Sequence, residues 1–173
     1  PRATYAAMIS YLDEQVGDLI KKFKDINQLD NTLIIFTSDN GPTYTGGADT
    51  QYFDSAKPFK AELGWAKGFV NEGGIRVPMI ASWPTKIKPG SKSNQISAFQ
   101  DMMPTFCDII GIDVPQNMDG ISIKPTLLGN FQKVTHEYLY WEFPAYKGQQ
   151  AVRMGKWKGI RKNIFEGNMS IEL

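Results

Sequence analysis

The protein is a chain of 173 residues, of which 42% are hydrophobic and 21% are charged. These proportions are ordinary for a soluble globular protein, and the length predicts one domain with a sizeable core. The 19 Lys and Arg residues and the 18 Asp and Glu residues give a formal net charge of +1. So small a net charge gives no general reason to expect nucleic acid or an anionic membrane surface as a partner.

The only cysteine, Cys107, excludes an internal disulfide and any zinc site built from cysteines. It lies in the apolar segment "MMPTFCDIIG", which predicts a buried side chain. No apolar run approaches the roughly 20 residues of a membrane span, and the first residues lack the architecture of a signal peptide. Because the chain opens without a methionine, we expect it to begin within a longer gene product, so these residues predict no compartment.

The first predicted element is an amphipathic helix. From Tyr5 to Phe23 apolar residues recur every three or four positions, with acidic and basic residues on the other face. This spacing predicts a helix of about five turns. The next apolar run, "TLIIF" at 32–36, predicts a strand covered on both faces. A helix directly before such a strand is typical of an α/β layer with parallel strands.

The following segments predict a second strand, a helix and a small sheet. The strand "VPMIASW" at 77–83 follows an irregular stretch, 41–76, which is too long for an ordinary connection and which we interpret as functional. The segment 97–111 predicts a helix that ends at Gly111. The last part of the chain predicts an antiparallel meander beside the main sheet. Its three strands are 136–143, 149–155 and 156–163.

Polar residues follow the first predicted strand directly, in the sequence "SDNGP". In open α/β sheets, ligand sites lie outside the carboxyl ends of the strands. Asp39 and Asn40 offer oxygen donors there, which a hard cation such as calcium or magnesium prefers. The same residues also make a good turn, so an ordinary turn is the alternative interpretation.

A second candidate feature is the segment "WAKGFVNEGGIRVP". Lys67 stands between small residues there, and Glu72, Gly73 and Gly74 predict a tight turn before the second strand. A lysine on such a loop, close to a cation at a strand end, can bind a tetrahedral anion as a compact point charge. The alternative is a solvated lysine, since most lysines are exposed.

Taken together, "TLIIFTSDNGP", "KGFVNEGGIRVP", "DMMPTFCDIIG" and "AVRMGKWKGI" resemble, in order and spacing, the C-terminal part of type I sulfatases. These are the arylsulfatase-like branch of the alkaline phosphatase superfamily. The resemblance covers nearly the whole chain and implies an α/β, alkaline-phosphatase-like fold. Residues 1–130 would be the C-terminal part of the catalytic domain, with part of the central sheet and flanking helices. Residues 131–173 would be a small, truncated antiparallel subdomain.

The resemblance also implies roles for the two motifs. Asp39 and Asn40 match the positions that coordinate calcium in that family, and Lys67 matches the lysine that holds the substrate's sulfate. Glu72 and the glycines after it would shape and brace the loop. The family's nucleophile is a formylglycine made from Cys or Ser in a C/S-x-P/A-x-R motif, which this sequence lacks.

Neither Cys107 nor the only histidine, His136, matches a catalytic position of the family. We interpret His136 as structural or as a surface residue. Calcium takes six to eight oxygen ligands, and Asp39 with Asn40 supplies two or three, so this part of the metal site is incomplete. We therefore expect a C-terminal piece of a sulfatase that is inactive alone, with both ends cut and part of its sheet uncovered.

The resemblance favours a sulfated small molecule or glycan as the substrate, with neither nucleic acid nor membrane as a partner. It also favours a periplasmic or extracellular protein, and the uncovered sheet predicts self-association. One alternative is a phosphate or phosphonate ester hydrolase of the same superfamily. Another is a noncatalytic module that binds a sulfated glycan through the segment "YWEFPAYKGQQAVR".

Overall fold

The elements described below come from a computed structural model of residues 1–173. The α-helices are α1 (Arg2–Asp25), α2 (Thr50–Phe53), α3 (Glu72–Ile75), α4 (Met102–Ile110) and α5 (Lys124–Leu127). The strands are β1 (Ile34–Thr37), β2 (Met79–Ser82), β3 (Leu139–Phe143), β4 (Gln149–Met154) and β5 (Trp157–Lys162). Short 3₁₀ turns lie at Leu29–Asn31, Phe99–Asp101 and Ile164–Glu166.

Helix α1 confirms the predicted amphipathic helix and extends it by a few residues at each end. None of its residues is buried. Its first turn contacts a distant part of the chain, since Arg2 Nε lies 2.6 Å from Asp49 Oδ2 and the rings of Tyr5 and Phe53 are 4.8 Å apart. None of the helices has the length and apolarity that crossing a membrane requires.

Strands β1 and β2 form a two-stranded sheet, and they run antiparallel, with Ile35 opposite Ala81. The expectation of parallel strands is therefore wrong for this pair. The expectation that β1 is covered on both faces is also wrong for this chain, because no residue of β1 is fully buried and Phe36 is 41% exposed. The physical reason is that no helix of this chain packs closely on the faces of β1, whose only strand partner is β2.

Helix α4 ends at Gly111, which takes a left-handed conformation at φ 76°, as the sequence predicts. Cys107 is 4% exposed, which confirms its predicted burial. The three predicted C-terminal strands are also confirmed. They form one antiparallel sheet in the order β3, β4, β5, with Ala151 at the centre opposite Trp141 and Ile160.

A fully buried carboxylate connects α4 to the segments that precede β3. Asp101 accepts hydrogen bonds from the backbone N–H of Ala98 at 2.8 Å and of Ile121 at 2.9 Å. Its Oδ1 also lies 2.7 Å from His136 Nε2, and the side chains of this pair are 0% and 9% exposed. His136 therefore has a structural role, which agrees with the sequence interpretation.

Candidate active site

The structure brings the two predicted motifs together through backbone hydrogen bonds. The SDNGP loop (38–42) follows β1, and its Gly41 N–H donates to the carbonyl of Gly74 at 2.8 Å. The backbone N–H of Lys67 in turn donates to the carbonyl of Pro42 at 3.1 Å. Asp39, Asn40 and Lys67 therefore lie on neighbouring loops, although α2 and other residues separate them along the chain.

This close contact between loops requires glycine. A Cβ at Gly41 would lie 1.7 Å from the carbonyl oxygen of Gly73, which is far inside the contact distance of real atoms. At Gly73 it would lie 1.8 Å from the carbonyl oxygen of Lys60, and at Gly74 it would lie 2.1 Å from that of Phe69. Glycine is the one residue that allows the backbone to approach this closely, so these three residues fix the distance between the loops.

Asp39 and Asn40 present oxygen atoms that no group of the chain occupies. The Asp39 side chain is exposed and takes part in no hydrogen bond or salt bridge. The side-chain amide of Asn40 donates to the carbonyl of Gly41 at 3.0 Å, which leaves its Oδ1 without a donor. These are the oxygen ligands that calcium prefers. No cluster of three or more His, Cys, Asp or Glu side chains that could hold a metal occurs in the chain.

Lys67 has an exposed side chain that makes no salt bridge, so its ammonium is available to an external anion. The loop around it is held by Gln149 of β4, whose side chain is 1% exposed. Gln149 Nε2 donates to the carbonyl of Gly68 at 3.1 Å, and Gln149 Oε1 accepts from the N–H of Val70 at 3.4 Å. The C-terminal sheet thus holds in position the backbone of residues 68–70, which follow Lys67.

Glu72 braces the same loop through three cations. Its carboxylate lies 2.7 Å from Lys158 Nζ, 3.2 Å from Arg76 Nη1 and 3.4 Å from Arg153 Nη1. Partial burial pushes the pKa of Glu72 upward, but its pairing with Lys158 and the two arginines outweighs burial and holds that pKa below its usual value. Burial, together with the nearby charges of Arg153 and Arg76, holds the pKa of Lys158 below its usual value despite the pairing with Glu72.

Sequence reasoning did not foresee that Gln149, Arg153 and Lys158 pair with the Lys67 loop. Gln149 lies 79 residues from Val70, and Lys158 lies 86 residues from Glu72. Such pairings leave no local signal in the sequence.

A cavity of about 800 Å³ is lined in part by Glu72, Arg76 and Arg153, but Asp39, Asn40 and Lys67 do not line it. Of the three predicted site residues, Asp39 and Lys67 are exposed and Asn40 is half-buried.

Comparison with known proteins decides the family. The sulfatase family model matches residues 1–112. The chain belongs to the sulfatase family. A second family model, N-sulphoglucosamine sulphohydrolase, C-terminal, matches residues 61–166 of this sulfatase chain.

Two curated relatives show how much of a sulfatase is present. The chain is 36% identical to N-acetylglucosamine-6-O-sulfatase of Bacteroides thetaiotaomicron, over 82% of this chain and 24% of that protein. It is 34% identical to human arylsulfatase A, over 91% of this chain and 30% of that protein. The chain therefore spans less than a third of the length of each of these relatives.

A solved structure confirms the fold. The crystal structure of Ps i-CgsB in complex with k-i-k-neocarrahexaose is similar to this chain with a TM-score of 0.78 and 34% identity. The similarity covers 94% of this chain and 34% of that one. The α/β, alkaline-phosphatase-like fold expected from the sequence is confirmed.

Proposed function

We propose that this chain is the C-terminal portion of an enzyme that hydrolyses sulfate esters. The observation that carries this proposal is the backbone pairing of the Lys67 loop with the SDNGP loop. This pairing brings the backbone of the loop that carries Lys67 next to the loop that carries Asp39 and Asn40. An ammonium and oxygen ligands on neighbouring loops suit an anionic substrate bound next to a cation. The names of the sulfatase relatives support the same reaction.

Each residue has a defined task in this proposal. Asp39 and Asn40 would hold calcium together with ligands from outside these residues, and the unpaired oxygens of both side chains fit that ion. Lys67 binds the sulfate oxygens and stabilises negative charge that develops there in the transition state. Glu72 holds the loop in position and does not touch the substrate. Calcium would supply positive charge at the reacting group, and a formylglycine from outside these residues would supply the nucleophile.

The chain alone is inactive in this proposal. A single lysine cannot stabilise charge, activate a nucleophile and protonate a leaving group at once. The substrate is a sulfated small molecule or glycan. The exposed faces of α1 and β1, where Leu19 is 52% exposed and Phe36 is 41% exposed, favour self-association of the chain when it is separated from the rest of the protein.

The first experiment tests the metal site. Calcium binding would be measured by isothermal titration with this chain and with the full-length protein, meaning the complete gene product that contains it. We expect tight binding by the full-length protein alone, and loss of that binding in Asp39→Ala. The exposed Asp113 provides a matched control, because Asp113→Ala removes a carboxylate that has no partner in the structure. Tight, Asp39-dependent binding by the chain alone would contradict a site shared with residues outside it.

The second experiment tests the sulfate contact. Lys67→Ala in the full-length protein should lower kcat for a sulfate ester by about 10²- to 10³-fold, because it removes one preorganised charge from the transition state. Lys88→Ala, which removes another exposed lysine without a salt bridge, should leave kcat unchanged. Unchanged turnover in Lys67→Ala would mean that Lys67 is a solvated surface residue that does not bind sulfate. Assaying the phosphonate ester of the same alcohol decides between a sulfatase and the phosphonate hydrolase alternative.

A further inference from the structure

Two tyrosines from distant parts of the sequence meet beside the Lys67 loop. The hydroxyl oxygens of Tyr44 and Tyr146 lie 2.9 Å apart, although 102 residues separate them in the chain. The ring of Tyr146 also stacks on Phe69, with centroids 4.6 Å apart and planes 20° from parallel. Tyr44 lies 6.4 Å from the same phenylalanine ring. The three aromatic residues therefore form one cluster, which we call the tyrosine cluster.

The tyrosine cluster lies beside the backbone of the Lys67 loop. Tyr44 follows Pro42, whose carbonyl accepts the N–H of Lys67. Tyr146 lies against the residue after Lys67, since a Cβ built at Gly68 would be 3.1 Å from its ring. The tyrosine cluster is therefore near enough to the Lys67 backbone to be a candidate contact for the alcohol part of a substrate whose sulfate lies on Lys67.

The backbone conformation at Tyr146 argues against the interpretation that this side chain serves only to pack the core. Tyr146 and Lys147 have φ angles of 53° and 68°, a left-handed conformation that costs a residue other than glycine about 1 kcal/mol or more. Despite this cost, Tyr146 stays 51% exposed. Its ring therefore gains only part of the burial that a core tyrosine has, and the loop holds it beside Gly68 at the surface.

The hydroxyl pair has hydrogen-bonding capacity to spare. In the pair one O–H donates and the other oxygen accepts, so one donor and several lone pairs stay free for a ligand. The hydrogen bond with Tyr146 raises the pKa of Tyr44 above its usual value. Phe69 and the Tyr146 ring add an apolar wall next to these polar groups. Apolar walls with a few placed polar groups are typical of sites that bind small molecules in a fixed orientation.

We propose that Tyr44 and Tyr146 determine substrate specificity by hydrogen bonding to hydroxyl groups on the alcohol part of a sulfate ester, while the ring of Tyr146 packs against it. This assignment rests on the proposed sulfatase function. The tyrosine cluster selects esters of polyhydroxylated rings, such as sulfated sugars, over aryl sulfates that lack hydroxyl groups. A site built to pair with a substrate hydroxyl discriminates against an analogue without one, because its polar groups then lose their partners.

The test compares two substrates in the full-length protein: a sulfated monosaccharide and 4-nitrophenyl sulfate. The variants are Tyr44→Phe and Tyr146→Phe, each of which removes one hydroxyl and keeps the ring. Tyr138→Phe is the matched control, since Tyr138 is 58% exposed, packs on no other aromatic ring and makes no side-chain hydrogen bond. We expect the ratio of kcat/KM for the sugar to kcat/KM for the aryl ester to fall about tenfold in either variant, and to stay constant in the control.

The double variant gives a second readout. Because the two hydroxyls act as one pair, Tyr44→Phe with Tyr146→Phe should lower the ratio hardly more than either change alone. A constant ratio in both single variants, whether the two activities fall equally or neither changes, would overturn the specificity role. If the unmodified protein cleaves neither sulfate, the proposed function fails. The Kd of the sulfated sugar, measured by calorimetry in the same variants, then decides the tyrosine assignment, and an unchanged Kd overturns it.

Discussion

The replacement Gln149→Leu tests how the C-terminal sheet positions the Lys67 loop. The side chain keeps its approximate volume but loses every hydrogen bond to the loop. The N–H of Val70, a residue that is 2% exposed, then has no partner, and the carbonyl of Gly68 loses one. An unsatisfied buried polar group costs about 1–3 kcal/mol, and the 3.4 Å bond to Val70 suggests the lower half of that range.

Hydrogen exchange with mass spectrometry measures this cost locally and requires no two-state unfolding of a large protein. About 1.4 kcal/mol of lost local stability equals a tenfold faster exchange, so peptides that cover 66–71 should exchange roughly tenfold faster in Gln149→Leu. The same variant should also lower kcat, since the sulfate-binding lysine lies in the loosened segment.

Gln150→Leu is the matched control for this experiment. Successive side chains of a strand point to opposite faces, and Gln150 donates instead to Glu142, which lies at the exposed surface. We expect Gln150→Leu to change the local stability of residues 66–71 by no more than about 0.5 kcal/mol, as for most surface substitutions. Unchanged exchange of 66–71 in Gln149→Leu, or an equal acceleration in Gln150→Leu, would refute the reasoning.

Two further predictions concern stability of the full-length protein. The folded state lowers the pKa of Glu72, so its stabilising contribution is present above the usual glutamate pKa and is lost as the pH falls through the lower folded value. Glu72→Gln should therefore lower the denaturation midpoint at pH 7 and flatten the fall in stability below about pH 4.5, near the usual value. His136→Ala should cost about 1–3 kcal/mol, because it removes one of three partners of the fully buried Asp101.

Each of these two predictions has its own control. Glu62 is exposed and makes no side-chain hydrogen bond, so Glu62→Gln should leave the pH profile unchanged. For the buried pair, Asp101→Asn combined with His136→Ala should cost less than the sum of the single changes, as for residues in direct contact. If Glu72→Gln leaves the fall in stability at acid pH unchanged, the first prediction is contradicted. If the double variant costs as much free energy of unfolding as the sum of its two single changes, the second is contradicted.

The sequence predicted those elements that depend on local patterns. The spacing of apolar residues located α1, and Gly111 marked the end of α4, since both signals lie within the element itself. Alternation and turn residues located β3, β4 and β5 for the same reason. The prediction that both faces of β1 are covered was wrong. An apolar strand indicates only that its faces are buried in the folded protein, and the residues of this chain bury them in part.

The candidate site was predictable only where its residues follow a motif. Asp39, Asn40 and Lys67 were proposed from the chemistry of their side chains and from the family resemblance, and their roles remain predictions. Gln149 could not be found in this way, because a buried glutamine on a strand looks like any other polar residue until the strand is placed against the loop. The same holds for Lys158, whose partner is defined by packing over a long sequence separation.

The way in which the chain holds these loops bears on their function. Gly41, Lys67 and Gly74 are fixed through backbone groups, and no group of this chain pairs with the ammonium of Lys67 or the carboxylate of Asp39. Glu72 on the same loop pairs with three cations and holds the loop in position. A rigid backbone that presents an unpaired charged side chain is the arrangement that a preorganised ligand site requires. Because exposed lysines without a partner, such as Lys88, are also common, the comparison of Lys67→Ala with Lys88→Ala decides whether Lys67 binds a ligand from outside the chain.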